Sequence, residues 1–272
     1  MLSAVKVPSY RFHPAALLFA VFLFSTPGSA SADSPPAQSA TTPTRPETLN
    51  YEGISFVVQS VGVPATGPEA NRPLPLIVGL HGLGDVPESF LELLRTLPLR
   101  GRLAAARALT PYGQGYAWLP PSRPHNIDER AMAVQQAAAR LAPALAALAA
   151  ARPTCGRPII IGFSQGAMVA YGLAAGPRPA LGAIFPIAGY LPPSLIPNHA
   201  PAAAPRIVAM HGTADSVVSF GDDQGSIRVL ERAGYPIELR SYSGIGHTVS
   251  TQMRMELGEL VRSAARAMGC PP

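Results

Sequence analysis

An α/β domain, with one mostly parallel sheet covered by helices on both faces, is what this 272-residue sequence predicts. Three observations carry that expectation. Short apolar runs rich in β-branched residues recur along the chain. Helical patterns lie between most of them. At "PIIIGFSQGAMVAYG" (158–172) a strand-like run gives way to a helix-like one within about two residues, too abruptly for an ordinary loop.

The strand candidates, in order, are "ISFVV" (54–58), "LIVGL" (76–80), residues 107–110, "PIIIGF" (158–163), "GAIFPIAG" (182–189), "RIVAMHG" (206–212) and "IELRSYS" (237–243). Helical patterns cover residues 127–150, 165–175, 223–233 and 249–268. Asn126 followed by Glu129 resembles a capping box at the start of the first, and Pro143 predicts a kink within it. No internal repeat is present.

Hydrophobic residues make up 47% of the chain and charged residues 14%, enough apolar material for one sizeable core. The formal charge is +5, but the basic residues are scattered arginines apart from Lys6, without interleaved aromatics. A nucleic-acid partner therefore has no support.

The first 32 residues read as a signal peptide. Lys6 and Arg11 supply a positive start, "AALLFAVFLF" (15–24) an apolar segment too short to span a bilayer comfortably, and "ASA" (30–32) a cleavage site before Asp33. Residues 33–48, rich in Pro, Ala, Ser and Thr, read as a disordered leader, so a single domain is expected over 49–272. The expectation is a secreted or periplasmic protein with no stable membrane anchor after cleavage. In an oxidising compartment Cys155 and Cys270 can form a disulfide; the alternative is two unpaired thiols.

The chemistry is sought at strand ends, where ligands bind in such sheets. Gly162 and Gly166 bracket Ser164 in a G-x-S-x-G pattern between strand and helix, which holds a serine hydroxyl out into a cleft. The Gln165 N–H opens the helix without an intrahelical partner. "HGLGD" (81–85) follows another strand, and the Leu83 N–H is the candidate second donor of an oxyanion hole. A plain strand-to-helix loop is the alternative there.

A serine nucleophile needs a base, and the base needs a carboxylate to fix its tautomer. Asp215 follows "RIVAMHG" and His247 follows "IELRSYS". Ser164, Asp215 and His247 thus come from three strand ends. His81 is expected to bond backbone near its own loop, and His211 to brace the Asp215 turn. Asp222 and Asp223 read as a helix start, where acids favour the dipole, and Asp85 reads as structural. No ligand cluster suggests a metal, and no nucleotide fingerprint suggests a cofactor.

"LHGLGD" (80–85), "GFSQGA" (162–167), "GYLP" (189–192), "HGTADSVV" (211–218) and "GIGHTVS" (244–250) together resemble the carboxylesterase/phospholipase family of α/β-hydrolases, which includes the acyl-protein thioesterases. The resemblance covers residues 74–260. It implies the α/β-hydrolase fold and cofactor-free hydrolysis of esters or thioesters through an acyl-serine. It carries nucleophile, acid and base onto Ser164, Asp215 and His247, and the oxyanion donors onto Leu83 and Gln165. "YAWLPPS" (116–122) resembles the segment where the family places a tryptophan near the acyl site, so Trp118 is a candidate substrate contact or, alternatively, a buried structural residue.

The reading is a carboxylesterase acting on a small-molecule or lipid ester, its activity falling in acid as His247 protonates. A polymer-directed esterase of the feruloyl or polyester type is the nearest rival, although no binding module accompanies the domain. An inactive binding module and a peptidase are further alternatives. Acyl length and oligomeric state are not legible.

Overall fold

β-Branched and apolar residues run together where the chain can be buried on both faces, and the strands form there. A computed structural model describes residues 45–64, 72–120, 126–176 and 180–270. It contains β1 (Glu47–Tyr51), β2 (Ile54–Val61), β3 (Leu74–Leu80), β4 (Gly101–Ala106), β5 (Thr110–Tyr112), β6 (Gly115–Ala117), β7 (Thr154–Phe163), β8 (Ala183–Ile187), β9 (Arg206–Gly212) and β10 (Ile237–Tyr242). Among the described residues, the strands other than the β5–β6 hairpin form one eight-stranded sheet in the order β1-β2-β4-β3-β7-β8-β9-β10. β2 is antiparallel to β1 and β4, and from β4 to β10 neighbours run parallel. The parallel strands therefore deliver their carboxyl ends to one edge of the sheet.

Side-chain alternation builds two cores. Leu76, Val78, Leu80 and Ile160 face α2 (Ile127–Ala150), α3 (Gln165–Ala175) and α4 (Phe220–Arg232). Ile77, Ile159 and Ile161 face α1 (Pro87–Arg95) and α5 (Thr251–Ala267). Each fully buried side chain of this size contributes about 1.5–3 kcal/mol relative to exposure.

The expected helix over 127–150 is α2. The Asn126 side chain accepts the Glu129 N–H (2.9 Å), and the helix runs on through Pro143, whose side lies in solvent. Three expectations need correction. Residues 47 and 48 belong to β1 rather than to a leader, because Glu52 and Gly53, both at positive φ (49° and 76°), turn β1 back onto β2. The strand expected at 107–110 lies upstream at β4, whose "GRLAAA" lacks the β-branched signature, and only Thr110 of that run enters a strand, β5. The helix implied after the 81–85 loop, given no range from sequence, is α1, with Pro87 in its first turn. α4 starts at Phe220 rather than 223, capped by Ser219, which accepts the Asp222 N–H. The signal peptide and the leader up to residue 44 lie outside the described residues.

Cys155, in the first half of β7, is disulfide-bonded to Cys270 beyond α5, with Cα atoms 5.5 Å apart. Among the described residues, no helix is long and apolar enough to cross a membrane.

Candidate active site

β7 stops at Phe163 and α3 starts at Gln165, so Ser164 alone makes the turn. It does so at φ 55° and ψ −116°, a strained backbone conformation that costs on the order of 1–3 kcal/mol. The Ser164 N–H is held by the Ile187 carbonyl at the end of β8 (2.9 Å). The flanking glycines are required by packing. A Cβ on Gly162 would collide with the Gly166 carbonyl, and one on Gly166 with the Leu80 carbonyl.

The turns after β9 and β10 are stitched together. Thr213 N–H donates to the Tyr242 carbonyl (2.9 Å), and Ala214 N–H to that of Ile245 (3.0 Å). This brings Asp215 to His247, and His247 to Ser164. Asp215 Oδ2 is 2.7 Å from His247 Nδ1, and His247 Nε2 is 3.0 Å from Ser164 Oγ. A carboxylate only accepts, so Nδ1 carries the proton and Nε2 is left to accept the serine hydroxyl. Asp215 Oδ1 accepts the N–H groups of Val217 (2.8 Å) and Val218 (2.9 Å). Burial pushes the Asp215 carboxyl up, but the hydrogen bonds from His247, Val218 and Val217 together hold it below the ordinary carboxylate range. Its side chain is fully buried, while that of His247 remains 16% exposed.

The loop after β3 lies across Ser164: a Cβ on Gly82 would sit 3.5 Å from that of the serine. His81 locks this loop. Its Nε2 accepts the Ala108 N–H (3.2 Å), so Nδ1 carries the proton and donates to the Gly82 carbonyl (2.7 Å). Burial lowers the His81 pKa, which keeps the ring neutral for this double role. The hairpin strand β6 straps the same loop, with Gly84 N–H donating to Tyr116 (2.9 Å) and Tyr116 N–H to Asp85 (3.0 Å). Among the described residues, neither the Leu83 N–H nor the Gln165 N–H has a hydrogen-bond partner. Two free donors, one on the serine turn and one on the loop that crosses it, are what a developing oxyanion would need.

Trp118 is 2% exposed, and its Nε1–H donates to the His81 carbonyl (2.9 Å). The structure thus places it beneath the loop as a strut and not as an open wall. Three participants escaped sequence reasoning. The Phe163 ring lies 4.9 Å from that of His247. The Gln165 side chain accepts the Trp118 N–H (3.1 Å). Asp223 lies in the first turn of α4, as its reading as a helix start implies, but is 1% exposed and bonded to His211 (2.8 Å). The adjacency of Phe163 and Gln165 to the serine was the available signal for the first two. Asp223 gave none, since its partner is remote in sequence.

Among the described residues, no group of three or more His, Cys, Asp or Glu side chains is arranged to hold a metal ion.

The phospholipase/carboxylesterase family model matches residues 63–263. A probable carboxylesterase of rice (Oryza sativa subsp. japonica) is 30% identical over 111 residues, which span 40% of this chain and 42% of that relative. The crystal structure of esterase PE8 superposes with a TM-score of 0.63 at 26% identity, covering 71% of this chain and 94% of that one. Acyl-protein thioesterase 2 of Zea mays shares the fold, with a TM-score of 0.58 at 23% identity over 77% of this chain and 98% of the other. With residues 63–263 matched by its model, the chain belongs to the phospholipase/carboxylesterase family of α/β-hydrolases.

Proposed function

We propose that this protein is an exported serine carboxylesterase that cleaves small or medium acyl esters through an acyl-serine intermediate. The observation that carries the reading is the continuous contact from Asp215 through His247 to Ser164, at 2.7 and 3.0 Å. Ser164 Oγ attacks the ester carbonyl carbon while its proton passes to His247 Nε2. The carbonyl π pair moves onto oxygen, where the Leu83 and Gln165 N–H groups stabilise it. Collapse expels the alkoxide, which takes the proton from His247 and leaves as alcohol. Water then repeats the sequence on the acyl-serine, releasing the acid and restoring Ser164. Asp215 orients the ring and offsets the imidazolium charge.

Two further observations support the finer reading. Leu83 and Val217 are exposed apolar side chains, 44% and 69%, one on the oxyanion loop and one two residues past Asp215. They favour an apolar acyl group over a charged substrate. The Cys155–Cys270 disulfide, with the signal-like first 32 residues, favours an oxidising compartment.

The test is hydrolysis of p-nitrophenyl esters from acetyl to palmitoyl by the mature protein and by Ser164→Ala. Activity that the substitution abolishes is the expected result, and the preferred chain length sizes the acyl site. A folded protein inactive on the whole series and unlabelled by a fluorophosphonate would refute the reading.

A further inference from the structure

His211 is wholly buried, and both of its ring nitrogens face oxygen. Nδ1 lies 2.8 Å from Asp223 Oδ2. Nε2 lies 3.2 Å from the Val218 carbonyl and 3.3 Å from Asp215 Oδ2, the same oxygen that bonds His247. A neutral imidazole has one N–H and one lone pair. Beside a charged Asp223, one lone pair would point at an oxygen with no water to relieve it. Two protons on the Asp223–His211 pair remove the conflict. Either His211 is an imidazolium beside a carboxylate, or an Asp223 carboxyl donates to Nδ1 of a neutral ring. In both forms Nε2 carries a proton that the Val218 carbonyl accepts, while Asp215 Oδ2 lies 3.3 Å from the same nitrogen as a charge contact.

The surroundings are consistent with this. Asp223 faces the ring from α4 and Asp215 from the turn after β9. Tyr171, on α3, donates its hydroxyl to Asp223 Oδ1 (2.8 Å). Phe220 meets the ring edge-on, with centroids 5.7 Å apart. His247 bonds the shared Asp215 oxygen. Burial lowers the His211 pKa, but the hydrogen bond and charge of Asp223, helped by Val218 and Asp215, hold it above the ordinary imidazole range. Burial raises that of Asp223 by more than His211 and Tyr171 lower it. Both directions keep the proton inside the pair.

We propose that His211 is a positioning residue of the triad: its protonated Nε2, 3.3 Å from the Asp215 oxygen that orients His247, holds that oxygen by charge while Asp223 anchors the ring. The proposal rests on the hydrolase reading above. Val217 and Val218 hold Oδ1 of Asp215, and the other oxygen accepts a hydrogen bond from His247, with the positive edge of the His211 ring 3.3 Å away. That charge contact biases the carboxylate torsion as His247 gains and loses its charge. It also draws part of the negative charge away from His247, so that the proton returns more readily to the leaving group.

The first test needs no substrate. Histidine-selective 15N NMR of the unmodified protein should find His211 Nε2 protonated at neutral pH, above the ordinary imidazole range. A bare Nε2 at neutral pH overturns the proposal and leaves the hydrolase reading untouched, whereas an inactive wild-type enzyme strikes the hydrolase reading and the proposal with it. The second test is kinetic. The amide nitrogen of His211→Asn takes roughly the place of Nδ1 and keeps the Asp223 contact while losing Asp215. That of His211→Gln takes roughly the place of Nε2. The Asn variant should lose about tenfold in kcat with KM little changed, and its acid limb should move up by about half a pH unit. The Gln variant should recover to within about threefold of wild type. A folded Asn variant with wild-type kcat and acid limb, or a folded Gln variant no better than Asn, overturns the proposal. If neither variant folds, the NMR result decides.

Discussion

The Gln165 side-chain carbonyl accepts the backbone N–H of Trp118 at 3.1 Å and that of Leu119 at 3.4 Å, while the Gln165 backbone N–H stays free beside Ser164. One residue thus ties the strap to the nucleophile turn and supplies a candidate oxyanion donor. Gln165→Ala leaves buried N–H groups unpaired and should cost about 1–3 kcal/mol of stability in urea unfolding. It should also lower kcat/KM, because the Trp118 indole supports the loop through the His81 carbonyl. Gln165→Glu keeps an acceptor and should lose less of both.

Gly166→Ala should be costly for a different reason. Its Cβ meets the carbonyls of Leu80 and His81, which are backbone and have no rotamer to change. Overpacking of this kind costs roughly 1–3 kcal/mol or more, and here the displacement falls on the loop beside Ser164. Urea unfolding should register the loss, and ester hydrolysis should fall further than the folded fraction explains.

Two carboxyl and imidazole shifts give the pH dependence of stability opposite signs. The folded pKa of His211 is raised above its ordinary 6.5. Its contribution is therefore fully present below that value and declines as pH rises through the folded pKa. The folded pKa of Asp215 is lowered below its ordinary 3.8, so its contribution is present above that value and is lost as pH falls through the folded pKa. Melting temperatures measured across the range should show the stability gap between wild type and His211→Asn narrowing toward alkaline pH. A gap that widens there contradicts the assignment.

The site proved more legible than the edges of the fold. Ser164, Asp215 and His247 could be located because each follows a buried, β-branched or alternating strand, and a strand end is a local signal. β4 was misplaced because alanine carries little strand signal, and its position between β2 and β3 depends on partners elsewhere in the chain. The choice between the two readings of Trp118, and the burial of Asp223 at its helix start, were undecided for the same reason. A buried strut and a solvent-facing side chain differ in their neighbours, not in their own sequence. His81 and His211 are both wholly buried beside strand ends, and only their partners separate them: burial lowers the pKa of the first, while Asp223 raises that of the second.

Reduction of the disulfide should separate stability from catalysis. Cys155 and Cys270 are 115 residues apart in sequence, and a loop of that size contributes up to about 4–5 kcal/mol in the chain-entropy model. Cys155 lies near the opposite end of β7 from Ser164, roughly 25–30 Å away along an extended strand. Cys270→Ser should therefore lower the melting temperature while leaving kcat near wild type wherever the variant is folded. A matching loss of kcat in the folded variant would show that the bridge reaches the site.

The same bond makes residues 155–270 a closed covalent ring, and Ser164, Asp215 and His247 all lie on it. The exposed stretch at residues 201–203 falls between the serine and the other two. A protease nick there leaves Ser164 and Cys155 on one fragment, and Asp215, His247 and Cys270 on the other. The fragments remain a single molecule for as long as the bridge is oxidised. Outside a cell, where peptidases are met and reductants are scarce, such a break changes the termini of the chain without parting the residues that act together.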